Sequence, residues 1–117
     1  MNTIKVSEAT SLQLNWLVAK CEGLECEVPA YADTPWVRVT DTSGLQYVCP
    51  DYSTGWAQGG PILEREGISI YRMTSDWSAA YNPSGATQDG PTPLIAVMRC
   101  YVASKLGETA KVPEELI

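Results

Sequence analysis

The chain has 117 residues, a net charge of −6 and an isoelectric point near 4.5. That bounds it to one domain and excludes the nonspecific nucleic-acid grip that Lys and Arg provide by neutralising phosphates. Its hydrophobic fraction of 44% and charged fraction of 19% are those of a globular chain. With no His, it lacks the commonest general base and any Ser-His or Cys-His nucleophile pair.

Residues 7–22 read as the first helix. Ser7 is its N-cap, Glu8 suits the first turn, and Leu14, Leu17, Val18 and Cys21 recur at helical spacing up to Gly23. Residues 24–35 carry Glu25, Glu27, Asp33 and two prolines, and read as an acidic loop. Trp36–Thr40 and Leu45–Val48 flank the turn Asp41-Thr42-Ser43-Gly44, a hairpin signal. Ser53 or Thr54 is in place to cap a helix through 56–66. Gly59-Gly60 followed by Pro61 favours a start at Pro61 instead. Ile68–Tyr71 and Trp77–Tyr81 read as strands around Thr74-Ser75-Asp76, and 82–90 as a loop. The last helix is capped by Thr92, has Pro93 at its first position and runs to Leu106, with Gly107 as its stop. Residues 108–117 read as a polar, loose tail. The expected fold class is α+β. A single domain over 1–107 would hold a small antiparallel sheet of three to five short strands packed against the N- and C-terminal helices.

The start Met-Asn-Thr-Ile-Lys-Val has no apolar h-region, and no apolar run approaches about 18 residues. A cytoplasmic protein with no membrane contact is expected. The thiols Cys21, Cys26, Cys49 and Cys100 then stay reduced, and no metal or cofactor is expected.

Two compact blocks draw the functional reading: Trp56–Glu66 and Gly90–Arg99. Trp56 and Trp77 offer flat faces for stacking a base, while Arg65, Arg99 and the helix start at Thr92 offer phosphate contacts. Gly59, Gly60 and Glu64 complete the candidate set. The plainer readings are core packing for the tryptophans, ion pairing for the arginines and a close crossing of elements for the glycines. Glu64 and Glu66 are two apart, so on a helix they diverge and make no carboxylate dyad.

Four segments together resemble a known family. They are Leu14–Gly23, Ser53–Ile68, Asp76–Ala79 and Gly90–Gly107. The chain is similar to the NinX-like proteins of phages and prophages, small proteins of the nin region of lambda-like phages. Gly55 stands where that family often has an Asp. The resemblance implies a phage accessory protein made in the bacterial cytoplasm and carries no known activity. By analogy with other small acidic phage proteins, it suggests a non-enzymatic binder that antagonises host defence. It would sequester a nucleotide-like ligand in a pocket closed by a homo-oligomer, with the last helix as the dimer face. The alternatives are an acidic inhibitor docking on a basic host protein through Glu22, Glu25, Glu27 and Asp33, and a metal-assisted hydrolase using Glu64.

Overall fold

The computed structural model describes residues 1–30, 33–81, 85 and 87–117. Among these residues, three α-helices and eight short strands make an α+β fold, as expected, but the strands form three small antiparallel sheets instead of one. Strand β1 (Asn2–Lys5) pairs with β8 (Thr109–Val112). Strands β2 (Glu25–Glu27), β3 (Arg38–Thr40) and β4 (Gln46–Val48) form a meander in that order. Strands β5 (Ile68–Arg72), β6 (Trp77–Tyr81) and β7 (Thr87–Gly90) form another.

Helix α1 spans Ser11–Cys21 and begins later than its periodicity suggests. Thr10, not Ser7, caps it. The Thr10 hydroxyl accepts from Gln13 N–H at 3.3 Å and the Gln13 side chain accepts from Thr10 N–H at 3.0 Å. This reciprocal capping box satisfies two helix-end donors at once, which a lone Ser7 could not do. Ser7 lies in a 3₁₀ turn, Val6–Glu8, anchored by the fully buried Val6. Residues 13–19 of α1 are all buried. A helix buried on every side lies inside the domain, not on its surface.

Helix α3 (Pro93–Leu106) is likewise enclosed, burying Leu94, Val97, Met98, Tyr101 and Val102 among others. Thr92 caps it and Gly107 ends it, as read from the sequence. It lies against α1 and the β5-β6-β7 sheet. These apolar residues belong to the core, so they are not available as the expected dimer face.

Helix α2 runs from Trp56 to Glu66, five residues longer at its start than the Pro61 rule predicts. Gly55 is its N-cap, in place of Ser53 or Thr54. Pro61 and Ala57 are both exposed. Both lie on the exposed side of the helix, where water can bond the Ala57 carbonyl that Pro61 leaves without a helical partner, which lessens the cost of an internal proline. Ser53 is instead buried: its N–H and hydroxyl reach Asn15 Oδ1 at 3.0 and 2.9 Å.

Two expected loops contain strands. Glu25–Glu27 is β2, and Thr87–Gly90 is β7; residues 31, 32, 82–84 and 86 of those loops lie outside the described set. The expected loose tail is also ordered. Ala110, Val112 and Leu116 are buried, and Gln13 Nε2 donates to Leu116 O at 2.8 Å. No helix among the described residues is long and apolar enough to cross a membrane.

Candidate functional site

Of the eight candidate residues, the two arginines lie on opposite sides of α3. Arg99 and Tyr101 are two residues apart, roughly 200° around the helix. Tyr101 meets Arg65, whereas Arg99 reaches Asp89 and Ala9.

On the Tyr101 side, Arg65 is held by four hydrogen bonds. Its Nη1 and Nη2 donate to the two carboxylate oxygens of Glu22 at 3.0 and 2.7 Å, and its Nε donates to Glu66 at 3.1 Å. Tyr101 accepts from Arg65 at 3.2 Å and donates to Glu22 at 2.5 Å. Tyr81 donates to Glu66 at 3.0 Å. The Arg65 hydrogen bonds, ahead of that of Tyr101, hold the Glu22 carboxyl below the usual carboxylate range against the opposing effect of burial. Burial first, then Glu66, pushes Tyr81 up to about 12, with Ser104 opposing. This bidentate pair joins the end of α1 to α2 and α3. An approaching phosphate would compete with the Glu22 and Glu66 carboxylates, and the geometry of Arg65 is that of a structural clasp.

Gly59 is buried against Tyr52 O and Leu94, where the backbone of α2 needs a residue without a side chain. Gly60 has no such neighbour; the nearest atom to a Cβ there would be Trp56 Cε3 at 3.8 Å. Trp56 is 52% exposed and Glu64 is exposed. Neither lines the cleft that holds Arg99.

On the other side, Arg99 forms part of an open cleft of about 540 Å³, with Glu8, Asp76, Gln88, Asp89 and Pro91 among its walls. Its Nη1 donates to Asp89 O at 2.9 Å and its Nη2 to Ala9 O at 3.0 Å. Its Nε is buried without a partner among the described residues. Burial lowers its pKa, opposed by the charges of Asp76 and Glu8. Trp77 and Thr92 adjoin this cleft through the chain, next to Asp76 and Pro91. Trp77 pairs in register with Arg72 and Gly90, and the Arg72 guanidinium sits 5.4 Å from its ring centroid. The Thr92 hydroxyl accepts from Ile95 N–H at 3.2 Å and is used as a cap.

The cleft carboxylates Glu8, Asp76 and Asp89 were not candidates in the sequence. Each sits singly in a turn or strand, and only the fold brings three distant segments together. The acidic set expected to dock a partner is partly neutralised: Glu22 pairs with Arg65, and Glu27 pairs with Arg38.

The four cysteines are free thiols. Burial pushes Cys21 and Cys100 up to about 11 and Cys49 up to about 12, which keeps them protonated and poorly nucleophilic at neutral pH. Among the described residues no group of three or more Cys, Asp or Glu is placed to hold a metal ion.

No curated protein matches the sequence. The family model described as bacteriophage P22 NinX matches residues 5–105. That range includes both blocks, α1, α2, most of α3 and every wall of the Arg99 cleft. The chain therefore belongs to the bacteriophage P22 NinX family.

Proposed function

We propose that this phage protein is a non-enzymatic accessory factor that binds a positively charged segment of a bacterial host protein at the Arg99 cleft, and so antagonises its host. One observation carries the reading. Glu8, Asp76 and Asp89 are exposed carboxylates around the cleft, and none forms an ion pair among the described residues. Arg99, the cation among these walls, spends both Nη groups on backbone carbonyls.

Three carboxylates against one arginine leave the cleft net negative. A Lys or Arg side chain entering it gains charge-assisted hydrogen bonds, and the field speeds the encounter. A nucleotide phosphate would meet those same carboxylates as a like charge. Nucleotide capture is the less supported reading for a second reason: Trp56 does not line the cleft, and Arg65 belongs to the far side of α3 from Arg99.

The test is an amide NMR titration of the full chain with an arginine-rich peptide at low and high salt, beside a cyclic dinucleotide. The expected result is peptide-induced shifts concentrated at Glu8, Asp76 and Thr87–Gly90. They should weaken with salt and disappear in the Glu8→Gln, Asp76→Asn, Asp89→Asn triple variant. Shifts spread evenly over the acidic surface would overturn the proposal. So would dinucleotide-induced shifts at the cleft with none from the peptide.

A further inference from the structure

Strand β4 is an edge of its sheet, and its hydrogen-bonding parity is set by two bonds. Cys49 N–H donates to Val37 O at 2.9 Å, and Asp41 N–H donates to Leu45 O at 3.0 Å. In an antiparallel ladder, alternate residues turn their N–H and C=O toward the neighbour and away from it. Residues 45, 47 and 49 therefore bond to β3, and Gln46 and Val48 turn both of their backbone groups outward.

The side chains leave this edge open. All three strand residues are exposed. Leu45 is 62% exposed and Val48 66%. Edge strands in stable monomers are usually guarded by charge, proline or a bulge. The opposite edge, β2, has such a guard in Glu25 and Glu27. No charged residue lies between Leu45 and Pro50.

We propose that β4 pairs antiparallel with β4 of a second copy about a twofold axis through Tyr47, giving a continuous six-stranded sheet. In this register Gln46 faces Val48 of the second copy, and Val48 faces its Gln46. All four outward groups of each copy are then bonded, in two hydrogen-bonded pairs. Asp51 lies opposite Ser43 of the second copy, so no carboxylate opposes another along the ladder. The alternatives are poorer. Moving the axis to Val48 sets Pro50, which has no N–H, opposite Gln46. Moving it to Gln46 requires Gly44, whose φ is +89° and whose N–H already bonds Asp41 O. Self-pairing thus has one register that uses every free group. The Arg99 cleft is made from other elements.

Sedimentation equilibrium of the full chain tests this. The wild type is expected at dimer mass. Val48→Pro removes an outward N–H that the fold does not use, so it should keep the circular dichroism of the wild type and weaken self-association about tenfold or more. Val48→Lys, which changes only the side chain, should weaken it too. Tyr47→Cys should form a covalent dimer on mild oxidation, since a directly opposed pair lies within disulfide range, while Thr42→Cys should not. A monomeric wild type would overturn the proposal, including one whose edge is filled only by another protein's strand. A dimer that survives folded Val48→Pro would overturn it as well.

Discussion

The adjacent glycines of the α2 block show how much chemistry the same residue type conceals. At Gly59 an added Cβ would lie 2.7 Å from Leu94 Cδ1 and closer still to Tyr52 O, a backbone atom that cannot yield. Gly59→Ala should cost about 1–3 kcal/mol or more. At Gly60 the nearest atom is 3.8 Å away, so Gly60→Ala should stabilise α2 by about 0.5–1 kcal/mol through helix propensity. Urea unfolding of the two variants checks both the sizes and the opposite signs. Equal effects would mean that neither glycine is there for packing. The pair Gly-Gly was visible in the sequence as unusual for a helix. Which of the two mattered was not, because the answer depends on Leu94, far along the chain.

Among the elements, α3 was legible from end to end, and so was the hairpin of β3 and β4. In both, the deciding interactions are local: the Thr92 hydroxyl caps three residues on, and Asp41 accepts from Ser43 and Leu45 within its own turn. Helix α2 was misjudged because helix propensity condemns its Gly-Gly-Pro start, while packing of Gly59 and the solvent exposure of Pro61 permit it. The clasp among Glu22, Arg65 and Tyr101 joins α1, α2 and α3 and predicts an acid sensitivity. The folded-state pKa of Glu22 lies below its ordinary 4.5. Its contribution to stability is therefore present above that value and lost as pH falls through the lowered one. Melting temperatures measured against pH should show a shallower acid limb in Glu22→Gln, along with a lower plateau near neutrality. An unchanged acid limb would show that other carboxylates dominate.

For the whole molecule, the two terminal segments are tied to each other and to the core, through the buried Val6, Ala110, Val112 and Leu116. Strands β1 and β8 pair over four residues, and Val6 N–H donates to Glu108 O at 2.9 Å. A chain ending at residue 108 loses the buried Ala110, Val112 and Leu116, a loss of roughly 3–6 kcal/mol. Set against a typical domain stability of about 5–15 kcal/mol, that should lower the melting temperature sharply or abolish cooperative unfolding. Circular dichroism melts would reveal it, and a wild-type melt would mean the terminal sheet contributes little. By itself the sequence determined the globular α+β class, the caps and extent of α3, the hairpin turns and the family resemblance, because each rests on residues close together or on overall composition. Only the tertiary structure decided that Arg65 is a clasp, that Arg99 lines an acidic cleft and that the tail is a strand. Those outcomes depend on contacts between residues 43, 90 and 103 positions apart, where no local pattern specifies the partner.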